Sequence, residues 1–112
     1  MDLTKNNGLN LKSEAAEFFL FECEKDLHKI LEHAEAIEKK IQVIGSGTNT
    51  IFPRHFSNIV IKSTNNNFKF SDEGEIAKLE VGAAIIWDDL IDFCCSKNLH
   101  GLENLAGIPG TV

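Results

Sequence analysis

Arginine is almost missing from this chain. Arg54 is the only one among 112 residues, and 11 basic residues face 17 acidic ones, for a net charge of −6. A protein that grips nucleic acid shows a basic face with several arginines, so no nucleic-acid partner is expected. By the same shortage, a doubly phosphorylated ligand is not held mainly by side chains of this segment. Long apolar runs are also lacking, and none nears the roughly 20 residues that cross a bilayer. The start, Met1-Asp-Leu-Thr-Lys-Asn-Asn7, is polar and has no apolar secretory core. No membrane partner is expected, and the cytoplasm is the default location. Cysteine is scarce and awkwardly placed, at Cys23, Cys94 and Cys95. An odd set with an adjacent pair makes a poor disulfide framework, and no C-x-x-C spacing exists for zinc or redox work.

What is present suits one modest globular domain, with 43% hydrophobic and 25% charged residues. Residues 1–12 lack periodicity and are expected to lie over the surface. Ala15-Ala-Glu-Phe-Phe-Leu-Phe-Glu22 reads as a strand. Leu27, Ile30, Leu31, Ala34, Ile37 and Ile41 recur at spacings of three and four, which predicts an amphipathic helix over 24–39. Lys39 and Lys40 would then suit its C-terminal dipole. Ile41–Ile44 and 58–62 are β-branched strands, separated by a glycine-rich loop. That order predicts an α/β arrangement with a right-handed crossover.

After the polar run 63–67, Phe68 and Phe70 alternate with polar residues, as do Ala77, Leu79 and Val81. Asp72-Glu-Gly-Glu75 lies between them, so a hairpin with one wet face is expected. Trp87, Leu90, Ile91 and Cys94 predict a helix over 85–97, with Trp87 in its core stripe and Cys94 as a buried reduced thiol. Two subdomains follow, the first about 14–62 and the second about 66–112. The second is expected to be incomplete, because Gly-Thr-Val112 makes a poor solvated end. Its hairpin would then expose an unpaired edge and leave the chain alone marginally stable.

Two loops could carry chemistry. Gly45, Ser46, Gly47, Thr48, Asn49 and Thr50 follow a buried strand, where backbone amides can cradle phosphate. The third glycine of the dinucleotide fingerprint is missing, and no Gly-Lys-Ser/Thr of a P-loop follows. As a lone Gly-Ser-Gly turn, this segment is more often only a turn whose hydroxyls cap their own backbone. The second loop, Gly107, Ile108, Pro109, Gly110 and Thr111, could face the first across a diphosphate. Ile108 would lay an apolar face on a ring, and Gly110 would allow close backbone approach. The alternative is a plain Pro-Gly turn. His28 and His33 fall on different sides of the first helix, His55 and His100 read as solvated, and no metal site is expected. Asp88, Asp89 and Asp92 read as a solvated helix face.

Val43-Ile-Gly-Ser-Gly-Thr-Asn-Thr-Ile-Phe52 followed by Asn58-Ile-Val-Ile61 resembles the first flavin loop of the UDP-N-acetylenolpyruvoylglucosamine reductase (MurB) family. Val81-Gly-Ala-Ala with Trp87-Asp-Asp-Leu90, and Gly101-Leu-Glu-Asn-Leu-Ala-Gly-Ile-Pro-Gly-Thr-Val112, are similar to that family's next two signatures, in the right order. The resemblance runs from about Asn7 to Val112. It implies an α/β (α+β) FAD-binding domain of the PCMH, or vanillyl-alcohol-oxidase, type, with FAD between two subdomains. By position, Gly45 to Asn49 and Thr50 would meet the diphosphate, and Ile108 to Thr111 the flavin side.

It further implies that NADPH reduces FAD, which passes hydride to an enolpyruvyl double bond to give UDP-N-acetylmuramate for the peptidoglycan wall. The family's arginine, catalytic serine and glutamate belong to a C-terminal substrate domain beyond Val112, which would take the UDP-sugar. No catalytic residue is therefore assigned here, and the complete enzyme is expected to be a monomer. Thr48 stands where the family usually has serine, and Asn6-Asn-Gly-Leu9 departs from its usual Asn-Thr pair. Two alternatives stay open: a flavin-dependent oxidase of the same fold acting on a hydroxy acid or sugar, and a non-catalytic remnant.

Overall fold

The computed structural model describes all residues from Met1 to Val112. They form two compact units, Met1–Thr64 and Asn65–Val112.

The first unit holds β1 (Glu14–Phe21), α1 (Glu24–Ala36), β2 (Ile41–Ile44) and β3 (His55–Ser63). The three strands form a parallel sheet in the order β1-β3-β2. β3 lies in the centre because its middle is apolar on both faces. Ile59, Val60 and Ile61 are 0–1% exposed, and successive side chains of a strand point to opposite sides. Ile59 and Ile61 meet Ile30 and Ala34 of α1 on one face. Val60 meets Leu3, Ala15, Ile44 and Phe52 on the other.

Two expectations need correction here. Residues 1–12 do not simply lie over the surface. Leu3 is fully buried, and its amide donates to the Ser13 carbonyl at 2.8 Å while the Ala15 amide donates to Met1 at 2.9 Å. Burying a leucine contributes about 1.5–3 kcal/mol, enough to hold a short segment against the sheet. The first helix also ends at Ala36 rather than 39. Glu38 turns to φ 53°, and the Lys39 amide donates back to the Ala34 carbonyl at 2.9 Å. That left-handed closure satisfies the last carbonyls and leaves Lys39 and Lys40 beyond the helix.

The second unit holds β4 (Phe68–Asp72), β5 (Ala77–Val81) and α2 (Trp87–Ser96). β4 and β5 form the expected antiparallel hairpin. Its turn rests on Gly74 at φ 88°, with the Gly74 amide donating to Asp72 Oδ1 at 2.9 Å. Phe93 of α2 meets Phe68 and Phe70 edge-on, at ring separations of 4.7 and 5.4 Å. Leu90, Ile91 and Cys94 are buried beside it. Burial pushes the Cys94 thiol above its usual value, and the neighbouring Cys95 adds to this. α2 starts two residues later than expected. Ile85 closes a turn by donating its amide to the Gly82 carbonyl at 3.1 Å, and Ile86 stays extended because this stretch pairs with the chain's last residues. Val112 donates to the Ile85 carbonyl at 3.0 Å, and Ile86 bridges Thr111.

Candidate functional site

The loop Gly45–Thr50 leaves the C-terminal end of β2, the usual ligand side of a parallel sheet. The N-terminal segment braces it. The Gly8 amide donates to the Gly47 carbonyl at 3.0 Å, and the Thr50 amide shares that acceptor at 3.2 Å. Gly47 is buried at φ 74°, a conformation that favours glycine. A Cβ there would overlap the Asn6 carbonyl oxygen, and one on Gly8 would lie 2.5 Å from the Thr48 carbonyl oxygen. The two backbones touch because neither carries a side chain.

Asn7 holds the bracing segment in shape and is 4% exposed. Its Nδ2 donates to the carbonyls of Leu3, Thr4 and Leu11 at 3.1, 3.2 and 3.0 Å. Its Oδ1 accepts the Leu11 amide at 2.9 Å. Within the loop, the amides of Ser46, Gly47 and Asn49 donate to no group of the protein. The loop carries no charged side chain, so an anion there would be met by backbone dipoles and by hydroxyls.

The second loop is fastened to the start of α2. Trp87 Nε1 donates to the Leu105 carbonyl at 3.0 Å, and the Trp87 amide donates to Gly110 at 3.0 Å. Asp88 Oδ1 accepts the Gly107 amide at 2.8 Å. Gly107 and Gly110 adopt φ 81° and 140°. The amides of Ile108, Gly110 and Thr111 donate to no group of the protein, and the Ile108 side chain is 52% exposed. Just upstream, Glu103 Oε2 accepts the Gly101 amide at 2.5 Å. Its carboxyl is held below the usual carboxylate value by its own amide first and that of Gly101 next.

Gly45, Ser46, Gly47, Thr48, Asn49 and Thr50 thus share one loop of the first unit. Ile108, Pro109, Gly110 and Thr111 share one loop of the second. Two sequence expectations are corrected here. Trp87 is only half-buried and ties down a loop rather than filling the core stripe. Asp88 is not merely solvated. Asn7 and Asp88 were both missed as loop supports, since nothing in a polar dipeptide marks which amide it will meet. His33 Nε2 lies 2.8 Å from Glu17 Oε2, His28 faces its own helix carbonyl at Glu24, and no three His, Cys, Asp or Glu residues are placed to hold a metal.

A family model described as an FAD binding domain matches residues 15–112. The chain belongs to this FAD binding domain family. Among relatives, it is 27% identical over 111 residues to the UDP-N-acetylenolpyruvoylglucosamine reductase of Porphyromonas gingivalis, covering 98% of this chain and 33% of that one. It is 30% identical over 112 residues to the reductase of the same name from Bdellovibrio bacteriovorus, covering 99% and 33%. The crystal structure of UDP-N-acetylenolpyruvylglucosamine reductase (MurB) from Thermus caldophilus superposes with a TM-score of 0.68 at 22% identity. That match covers 98% of this chain and 37% of the other, and it shows a shared fold. The chain spans about a third of the length of the relatives it matches.

FAD is this family's cofactor, and the residues present fit it. An FAD binding domain needs donors for a diphosphate and room for close backbone approach. The unengaged amides and the uncharged, glycine-rich backbones of the two loops meet those needs, and the close packing of Gly47 on the Asn6 backbone fixes the first loop in place. No helix is long and apolar enough to cross a membrane.

Proposed function

We propose that this chain is the flavin-binding part of a cytoplasmic, monomeric NADPH-dependent reductase. Its reaction would convert UDP-N-acetylenolpyruvoylglucosamine to UDP-N-acetylmuramate for peptidoglycan. One conjunction carries the reading: two glycine-rich loops with unengaged backbone donors occur in a chain similar over nearly its whole length to reductases of that name.

FAD, when bound, supplies hydride transfer between the nicotinamide and the enolpyruvyl double bond. The contribution of this chain is binding and orientation. The Ser46, Gly47 and Asn49 amides, with the side chains of Ser46, Thr48, Asn49 and Thr50 and the backbone of Gly45, serve the diphosphate. A neutral loop that meets an anion through backbone dipoles needs no lysine, which accords with the single arginine of the chain. In the second loop, the exposed Ile108 side chain and Pro109 offer an apolar surface to the flavin, and the Gly110 and Thr111 amides offer donors. No catalytic residue is assigned to these residues, and the UDP-sugar binds elsewhere in the protein.

The test is an NADPH oxidation assay on the purified protein. NADPH should be consumed when the enolpyruvyl UDP-sugar is present, one for one with product and with little oxygen uptake. Rapid oxygen uptake with a hydroxy acid or sugar, and none of the NADPH-linked reduction, would replace this reading with the oxidase one.

A further inference from the structure

Two consecutive residues of α2 hold the second loop, and they do so with different chemistry. Trp87 contributes neutral hydrogen bonds at its two ends, from Nε1 to Leu105 and from the backbone amide to Gly110, both at 3.0 Å. Asp88 contributes a carboxylate that accepts the Gly107 amide at 2.8 Å. Bonds to an ionised acceptor are shorter and roughly twice as strong as neutral ones. A glycine-rich segment also loses more conformational freedom on ordering than other sequence, so its direction depends on such fastenings. Gly107, at φ 81°, is the residue where the chain turns into Ile108-Pro-Gly-Thr111. Asp89 follows Asp88 in the same helical turn but makes no hydrogen bond to the loop.

The geometry points to Asp88 as a positioning residue for the flavin. By holding the Gly107 amide, it keeps the Ile108, Gly110 and Thr111 amides turned away from the protein's own carbonyls and available to the cofactor. This inference rests on the reading of that loop as a flavin contact. It adds a residue that touches no cofactor and acts through the backbone of one that does.

The experiment is FAD titration of the protein as its cell makes it, stripped of flavin, with the visible circular dichroism of the bound flavin recorded alongside. Asp88→Ala should weaken FAD binding about tenfold, the scale of one lost charge-assisted hydrogen bond. It should also alter the flavin dichroism. Asp88→Leu, which fills similar space without an acceptor, should give the same loss. Asp88→Asn keeps an acceptor oxygen but no charge, so it should recover about half of the lost free energy, leaving FAD binding within about threefold of the parent, and should restore the flavin dichroism. Asp89→Ala removes an equal charge from the same turn and should behave as the parent.

Parent-like affinity and dichroism in Asp88→Ala would overturn the inference. So would an Asp88→Asn variant as weak as Asp88→Ala, or an equal loss in Asp89→Ala, since either would mean charge rather than a positioned amide. Gly110→Val separates the two levels. If it still binds FAD as tightly as the parent, the loop is not a flavin contact, and the underlying reading falls together with this one. If it loses FAD while Asp88→Ala does not, only the role of Asp88 falls.

Discussion

Gly8 and Gly47 face each other across two backbones, with the Gly8 amide donating to the Gly47 carbonyl at 3.0 Å. The contact joins the N-terminal segment to the loop after β2, and either side chain would break it. Gly47→Ala combines a left-handed φ with a direct overlap on the Asn6 carbonyl. It should cost about 2–4 kcal/mol and displace the loop. Thermal unfolding of the parent and variant gives the cost directly. A loss below 0.5 kcal/mol would mean that the two backbones do not meet.

Asn7 offers a second test of the same brace. Its side chain engages three carbonyls and one amide within a buried turn. Asn7→Ala removes all four bonds, and only the Leu3 carbonyl keeps another donor, the Asn6 amide, so the cost should be about 1–3 kcal/mol. Denaturant unfolding should show this as a lower midpoint with little change in slope. Asn7→Asp should be worse, because it exchanges three donated bonds for a buried charge facing carbonyl oxygens.

The cysteines should separate cleanly by reactivity. Cys23 and Cys95 are exposed, while Cys94 is buried with its thiol raised above the usual 9.0. The thiolate is the reactive form, so a neutral buried thiol is protected twice. Alkylation of the folded protein followed by peptide mapping should label Cys23 and Cys95, with Cys94 modified only after denaturation. Early labelling of Cys94 would contradict the packing of α2.

Asp26 ties stability to acid pH. Its carboxylate accepts the Glu22 and Cys23 amides at 3.3 and 3.4 Å at the start of α1. The Glu22 amide contributes most to holding its pKa below the ordinary 3.8. A lowered folded value means that the carboxylate's contribution is present above about pH 3.8 and is lost as pH falls through the lower folded value. Parent and Asp26→Ala should therefore differ most in stability at pH 5–7 and converge in strong acid. A difference that grows on acidification would refute this cap.

Much of this fold was legible in the sequence because burial imposes a period. The β-branched run Ile59-Val60-Ile61 marks a strand covered on both faces, and the structure puts it in the centre of its sheet. Leu27, Ile30 and Ala34 mark the helix that covers one of those faces. Both glycine-rich loops could be located, because glycines at such spacing signal turns. What could not be read was set by single contacts without a period. Leu3 and Asn7 are isolated among polar neighbours, so nothing marks their segment as buried. Glu38 ends α1 in a left-handed conformation without the glycine that usually announces one. Asp88 looks the same as Asp89 in sequence, and only the folded loop decides which of them meets Gly107.

The most direct test of the central claim is the visible spectrum of the protein isolated from its own cells. The account predicts a yellow protein with one FAD per chain, and a colourless but folded Gly110→Val variant that takes up no added FAD. A colourless parent that also fails to take up added FAD would contradict it.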